Sequence, residues 1–146
     1  MGLLEIFDGT AVYFDTAPVI YNVEGIAPYA DLLEPVFRAV QSGSVRACTA
    51  TLTLAETLVV PYRDKHLALL EKIEELLMGT PDLTLFPLTP EIARETARIR
   101  AKSSIKTPDA IQLATARIRG IDYFLTNDKE LKHFSMPQVI LLDNFV

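Results

Sequence analysis

The sequence predicts an α/β fold, a three-layer α/β/α sandwich around a central, mostly parallel sheet of about five strands. Two observations predict it. Segments with the apolar spacing of a helix alternate with short strand-like segments along the whole chain. The strand-like segments are also continuous apolar runs, which is typical of parallel strands that helices cover on both faces.

The first strand is predicted at Val12–Asp15, a buried segment that ends in an acid. A helix follows in the segment PYADLLEPVFRAVQSG, which Pro35 is expected to split or kink and Gly43 to end. The second strand is predicted at Val45–Ala50. The segment LTLAETLVVP forms the next helix, with Pro61 as its boundary.

The third pair of elements lies in the middle of the chain. Apolar residues at helical spacing predict a helix over His66–Met78, and Gly79 with Pro81 is expected to stop it. The third strand is predicted at Leu83–Leu88, and an amphipathic helix at Pro90–Lys102.

One further helix is predicted in the segment KTPDAIQLATARIRG. Thr107 suits its N-cap and Pro108 its first helical position. Asp109 then lies in the first turn, where the helix dipole favours an anion, so one interpretation of this acid is purely structural. The fourth strand with its exit turn is predicted at Asp122–Asp128, and the fifth at Gln138–Asp143.

Length and composition fit one globular domain. The 146 residues can bury a core, and 49% are hydrophobic against 23% charged. The single cysteine, Cys48, cannot form an internal disulfide, which favours a reducing compartment. With no basic leader and no run of 18 apolar residues, we expect a soluble, cytoplasmic protein that does not contact a membrane.

Charge gives weaker information about partners. A formal net charge of −5 disfavours a DNA-binding protein that relies on backbone electrostatics, but it is compatible with a nuclease whose metal-binding acids lower the total. One region is locally basic and contains Arg94, Arg98, Arg100, Lys102 and Lys106, against Glu91 and Glu95. It is either a solvated helix face or a guide for a phosphate backbone, and in the second case Arg100, Lys102 and Lys106 are the candidate substrate contacts.

Four acids from distant segments are predicted to meet at one edge of the sheet. Asp15 ends the first strand, and Glu56 lies about one turn into the helix after the second. Asp109 opens the helix that leads to the fourth strand, and Asp128 follows that strand. In an open parallel sheet the ligand crevice lies beyond the carboxyl ends of the strands, so the chemistry is expected there.

Such a cluster is costly without a cation. Two unit charges about 4 Å apart repel by roughly 4 kcal/mol at an effective dielectric constant near 20. A helix dipole stabilises one ionised acid by only about 0.3–1 kcal/mol. All-oxygen ligands favour Mg²⁺ or Mn²⁺. A metal on an open rim can orient a water molecule, lower its pKa and stabilise charge on a phosphoryl oxygen, which are the elements of phosphodiester hydrolysis.

The segments VYFDTAPVIYNVEG, TATLTLAETLV and KTPDAIQLATARIRGIDYFLTNDKEL resemble, in order and spacing, the PIN-domain family, and especially its VapC-type ribonuclease toxins and stand-alone relatives. The resemblance implies a PIN-like sandwich over the single domain 1–146, with 1–10 as an N-terminal extension. It also implies an acidic Mg²⁺ or Mn²⁺ pocket that cleaves RNA. The implied catalytic and metal-binding residues are Asp15, Glu56, Asp109 and Asp128, with Asn127 as the alternative fourth residue.

The resemblance extends to supporting residues and partners. Thr16 and Thr126 match hydroxyl positions that steady the carboxylates or the water at the metal. Family members commonly form dimers, and toxin members are blocked by an antitoxin. Ala17 departs from the pattern, because many relatives have Asn or Ser there. In the N-terminal extension, Leu3 and Phe7 are among the apolar residues expected to pack on the sheet edge or on a dimer partner.

Two other functions remain open at this stage. The chain could be a catalytically weak PIN-like module that binds RNA or protein. An aspartate after the first strand also describes phosphatase and receiver folds. Phosphatase chemistry, however, needs a second acid where Ala17 stands. A receiver needs a neighbouring acidic pair near the N-terminus, and this sequence has none there.

Overall fold

A five-stranded parallel sheet forms the centre of the protein, as seen in a computed structural model that describes residues 1–146. The strands are β1 (Ala11–Phe14), β2 (Arg46–Ala50), β3 (Leu83–Phe86), β4 (Tyr123–Thr126) and β5 (Gln138–Leu141). Their order in the sheet is β3-β2-β1-β4-β5, and every neighbouring pair is parallel. The chain therefore winds outwards from β1 in both directions, which makes the boundary between β1 and β4 the switch point of the topology.

Seven α-helices surround the sheet. They are α1 (Leu3–Phe7), α2 (Thr16–Glu24), α3 (Tyr29–Gln41), α4 (Thr51–Arg63), α5 (Leu67–Gly79), α6 (Pro90–Ala101) and α7 (Thr107–Ile118). Two short 3-10 helices follow at Lys129–Leu131 and Leu142–Phe145. The predicted α/β class with a parallel sheet is confirmed.

The core lies on both faces of the sheet. Val12 and Phe14 of β1 belong to the apolar cluster that includes α1, α2, α3 and α5, whereas Tyr13 belongs to the cluster formed with α6 and α7. All three side chains are fully buried. Because both faces are covered, the strand has no polar side, and this explains the continuous apolar runs in the sequence.

Helix α2 was not predicted. Its segment contains Pro18 and the β-branched pair Val19 and Ile20, which lower helix propensity. Asp15 caps the helix by accepting a hydrogen bond from the amide of Thr16, and Pro18 lies in the first turn, where an amide hydrogen is not needed. The residue that was predicted to end a strand therefore also begins a helix.

Three boundaries predicted at or beyond a proline differ from the structure. Helix α3 is not split at Pro35, which was one of the two expected outcomes, since its apolar face is buried on both sides of that residue. Helix α4 passes Pro61 and ends at Arg63, because a missing amide bond in the last turn costs little against the burial of the ring. Strand β3 ends at Phe86, before Pro87, which has no amide hydrogen to donate to a ladder.

The N-terminal extension packs on this chain's own core. Leu3 and Phe7 are buried in the cluster that contains α2 and α3, and the Phe7 ring lies 5.8 Å from the Tyr123 ring of β4. Of the two expected packing sites, the structure shows the one within the chain. None of the helices has the length and apolar character needed to span a membrane.

Candidate active site

Asp15 lies at the switch point, where the carboxyl ends of β1 and β4 meet. Its side chain is 8% exposed. The Oδ1 atom accepts a hydrogen bond from the Thr16 amide at 2.9 Å, and Oδ2 accepts one from the Thr126 hydroxyl at 2.7 Å. The first acid is therefore held by the residue that follows it and by the last residue of the neighbouring strand.

Glu56 approaches the same edge from α4. Its side chain is exposed, and Oε1 accepts a hydrogen bond from the Thr16 hydroxyl at 2.7 Å. Thr16 thus contacts two of the four predicted acids, Asp15 through its amide and Glu56 through its hydroxyl.

Asp109 lies in the first turn of α7, as predicted, and is half-buried. The predicted N-cap is wrong, because Lys106 occupies the capping position and Thr107 is already the first helical residue. No side chain caps this helix. Pro108 removes one amide donor from this turn, since its ring nitrogen carries no hydrogen.

The exit turn after β4 contains Asn127 and Asp128, both half-buried. The Asn127 oxygen accepts a hydrogen bond from the Asp143 amide at 3.1 Å. Asp128 Oδ1 accepts one from the Glu130 amide at 2.9 Å, and its own amide donates to the Thr126 hydroxyl at 3.1 Å.

The acids influence one another electrostatically. The pKa of Asp15 is raised to about 6. Burial is the largest cause, its two hydrogen bonds act in the opposite direction, and the charges of Asp109 and Glu56 add to the rise. Burial also raises the pKa of Asp109, and the charges of Asp128 and Glu56 add to that shift. All four predicted acids are therefore within electrostatic reach of this edge, and ionisation of the cluster is unfavourable without a counter-charge.

No basic side chain forms an ion pair with Asp15, Glu56, Asp109 or Asp128; the five ion pairs of the structure all lie elsewhere. In their present rotamers, no three of the acids are close enough to hold one metal ion. The donor set still fits a hard divalent cation by its chemistry, since it consists of carboxylate oxygens and none of the four acids is in an ion pair.

The basic region divides into two parts. Arg98 and Arg117 both bind the buried Glu95, each at 2.9 Å, and this lowers the pKa of Glu95 against the opposing effect of burial. Arg98 is therefore engaged within the fold. Arg100 and Lys102 are exposed at the end of α6. The exposed Lys106 lies close enough to Asp109 for its charge to oppose the rise in the pKa of Asp109.

Several polar residues at this edge were missed by the sequence analysis. Gln112, Thr53, Glu130 and Asp143 all contact or influence the predicted acids or their neighbours. Gln112 had a detectable signal, because it lies three residues after Asp109 and so on the same side of a helix. Asp143 had one too, as the acid that ends the last predicted strand.

Comparison with known proteins assigns the family. The model of the PIN domain matches residues 12–135, which is most of the chain. The chain belongs to the PIN domain family. The match decides against the phosphatase and receiver alternatives, and it confirms the resemblance found in the sequence. No curated protein matches the chain.

The solved structures that share the fold of this PIN domain include toxin–antitoxin complexes. A toxin–antitoxin complex from Klebsiella pneumoniae has a TM-score of 0.66 at 20% identity, covering 90% of this chain and 97% of that one. DNA-bound VapBC from Salmonella typhimurium has a TM-score of 0.66 at 18% identity, covering 91% and 98%. VapBC2 from Rickettsia felis, bound to a promoter DNA fragment, has a TM-score of 0.65 at 14% identity, covering 90% and 98%. At these identities the likeness shows the fold alone.

The raised pKa of Asp15 predicts how the stability of the metal-free PIN domain depends on pH. The folded state binds the Asp15 proton more tightly than the unfolded chain does, with a pKa of about 6 against 3.8. This contribution to the free energy of unfolding is complete below about pH 4 and is lost as the pH rises through 6, by about 3 kcal/mol in total.

The measurement compares urea unfolding of the wild type and Asp15→Asn in EDTA between pH 4 and pH 7. Asp109, whose pKa burial also raises, is present in both proteins, so the difference between their free energies reports mainly on Asp15. We expect that difference to shift in favour of the variant as the pH rises. A difference that is the same at pH 4 and pH 7 would show that Asp15 is not destabilised by burial.

Proposed function

We propose that this PIN domain is a metal-dependent endoribonuclease that hydrolyses RNA phosphodiester bonds, and that it is the toxin of a toxin–antitoxin pair. One observation carries the proposal: carboxylates from four segments face the carboxyl edge of a PIN fold, and no basic side chain pairs with any of them. The shared cation that this arrangement requires would provide hydrolytic chemistry.

Asp15, Glu56, Asp109 and Asp128 would hold Mg²⁺ or Mn²⁺. When bound, the ion would orient and acidify a water molecule and stabilise negative charge on the phosphate. Asp15 is fixed before the ion binds, because Thr16 and Thr126 each donate a hydrogen bond to it. Glu56 is oriented by the Thr16 hydroxyl. Asp109 and Asp128 are half-buried, so their side chains can change rotamer and complete the site around Asp15 and Glu56.

Asp128 is the better candidate for the fourth ligand. The side-chain oxygen of Asn127 already accepts a hydrogen bond from the Asp143 amide. Asp128 uses only Oδ1 to cap the short helix after β4, which leaves Oδ2 for a ligand. The charge of Asp128 also raises the pKa of Asp109, which supports their proximity.

Lys106, with Arg100 and Lys102, would guide the RNA backbone towards the acids. The support is strongest for Lys106, whose charge acts on Asp109. Arg100 holds the end of α6 against the following loop, with Nε donating to the Ile105 carbonyl at 3.2 Å. Its guanidinium is otherwise exposed and can approach a phosphate.

An antitoxin protein is the proposed regulatory partner, and the structural likeness to toxin–antitoxin complexes supports it. We further propose that the chain acts as one domain, 1–146, and forms a homodimer. The cytoplasm is the proposed location, because its RNA is the substrate and the free, buried Cys48 suits a reducing compartment.

A catalytically weak PIN module that binds RNA or protein is the second candidate. It is favoured by the finding that no three of the acids are within coordinating distance of one ion in their present rotamers. Such a module would retain the fold and the basic residues without assembling the site.

The two candidates separate in one experiment. Purified protein is incubated with single-stranded and with structured RNA in Mn²⁺, in Mg²⁺ and in EDTA, beside Asp128→Ala prepared in the same way. We expect cleavage by the wild type in metal only, and none by the variant. RNA binding in an anisotropy assay without cleavage would support the module. Equal cleavage by both proteins would show either that Asp128 is not required or that a contaminant cleaves the RNA.

A further inference from the structure

Gln112 connects the elements that carry the predicted acids. It lies in α7, one turn after Asp109, and its side chain is 1% exposed. The Oε1 atom accepts a hydrogen bond from the Tyr13 hydroxyl of β1. The Nε2 atom donates to the hydroxyls of Thr53 at 3.0 Å and Thr16 at 3.3 Å.

These contacts fix the direction of the neighbouring hydrogen bonds. An amide nitrogen only donates, so the Thr16 hydroxyl must accept from Gln112 and is left with its own proton to donate. That proton goes to Glu56 Oε1, 2.7 Å away. The Tyr13 hydroxyl keeps the amide in this orientation, because it donates to the oxygen of Gln112.

A second chain of hydrogen bonds from Gln112 runs through Thr53 and ends beside Asp15. The Thr49 hydroxyl donates to the Phe14 carbonyl at 2.7 Å. It can therefore only accept from the Thr53 hydroxyl, which is also 2.7 Å away. Both amide hydrogens of Gln112 thus start chains that reach the site, one at the Glu56 carboxylate and one at the residue before Asp15.

We infer that Gln112 is a positioning residue of the metal site, which keeps the Thr16 hydroxyl directed at Glu56; this inference rests on the proposed function. Without Gln112, the Thr16 hydroxyl has a competing acceptor, the Thr53 hydroxyl at 3.5 Å. Glu56 is exposed and has no other hydrogen-bond donor, so its rotamer depends on Thr16.

The main test replaces Gln112 with methionine, which has a similar shape and donates no hydrogen bond. We expect the Mn²⁺ dissociation constant, measured by calorimetry, to rise about tenfold, as is typical when a group that orients a metal ligand is removed. Thr16→Val should have a similar effect, whereas Thr16→Ser should bind Mn²⁺ like the wild type.

The double variant distinguishes positioning from independent effects. If Gln112 acts through Thr16, then Gln112→Met combined with Thr16→Val should bind Mn²⁺ no more weakly than the weaker single variant. Losses that multiply, or a Gln112→Met protein with unchanged affinity, would overturn the inference. Thr96→Val is the control, because Thr96 is a buried residue of α6 whose hydroxyl bonds only its own helix; it should lose stability without a change in affinity.

A milder variant covers the case in which Gln112→Met does not fold. Tyr13→Phe retains the ring that stacks on Phe124 and removes only the hydroxyl that orients the amide. We expect a smaller rise in the Mn²⁺ dissociation constant, about threefold, which again disappears in the Thr16→Val background. An unchanged constant, or an effect that persists in that background, would contradict the assigned role.

A measurement on the metal-free protein keeps this inference separate from the proposed function. The order parameter of the Thr16 methyl group, from NMR relaxation, should fall in Gln112→Met and stay at the wild-type value in Thr96→Val. A wild type that does not bind Mn²⁺ would reject the proposed function, and the methyl group would still report on Gln112. An unchanged Thr16 order parameter in Gln112→Met would overturn the inference itself.

Discussion

Replacing Asp15 with asparagine is expected to abolish the rise in melting temperature that Mn²⁺ gives the wild-type protein. A ligand that binds only the folded state at 100 times its dissociation constant stabilises it by about 2.7 kcal/mol, which corresponds to roughly 5–10 °C for a chain of this size. Asp15 is the most buried of the four acids and is fixed by two hydrogen bonds, so the other three cannot replace it.

The variant should still fold. Asparagine keeps an oxygen that can accept from the Thr16 amide, and its nitrogen can donate to the Thr126 hydroxyl. It also removes a charge that burial makes unfavourable, since the pKa of Asp15 is raised to about 6. In EDTA at pH 7 we therefore expect Asp15→Asn to melt at or above the wild-type temperature.

Asp122→Asn is the matched control for this experiment. Asp122 is an exposed acid immediately before β4, at the opposite edge of the sheet from the site. This variant should retain the full response to Mn²⁺. If the melting temperature of Asp15→Asn still rises normally with metal, the site has been placed wrongly.

Asp109→Asn is expected to abolish Mn²⁺-dependent RNA cleavage and to leave the fold in EDTA as stable as the wild type or more so. The reason is that burial and the charges of Asp128 and Glu56 raise the pKa of Asp109, so its ionised form is unfavourable in the absence of a cation. The readouts are a gel assay for cleavage and chemical unfolding for stability.

The purely structural interpretation of Asp109 predicts the opposite. An acid that serves only the helix dipole would cost about 1 kcal/mol of stability when neutralised, and cleavage would persist. Glu91→Gln calibrates that effect, because Glu91 is an exposed acid in the first turn of α6 and, like Asp109, it directly follows a proline. Loss of stability in both variants with intact cleavage would favour the structural role.

The local patterns were sufficient for most of the strands and helices. Strand β1 could be predicted because Val12, Tyr13 and Phe14 are all buried, which makes an apolar run with no polar side. Helix α2 could not, because its propensity is poor and its formation depends on the Asp15 cap and on burial of Val19 and Val23. The continuity of α3 through Pro35 likewise depends on packing that no local pattern reports.

The candidate site divides in the same way. The sequence by itself determined the fold class and which acids follow the strands, because apolar periodicity and the parallel arrangement bring Asp15 and Asp128 to one edge. Only the tertiary structure decided that Thr16 reaches Glu56 and that Gln112 reaches both Thr16 and Thr53. Residues 96 positions apart in the chain, Thr16 and Gln112, meet through the packing of α7 beside β1. Contacts of that kind depend on side-chain geometry across the core, which a linear pattern of residue types does not encode.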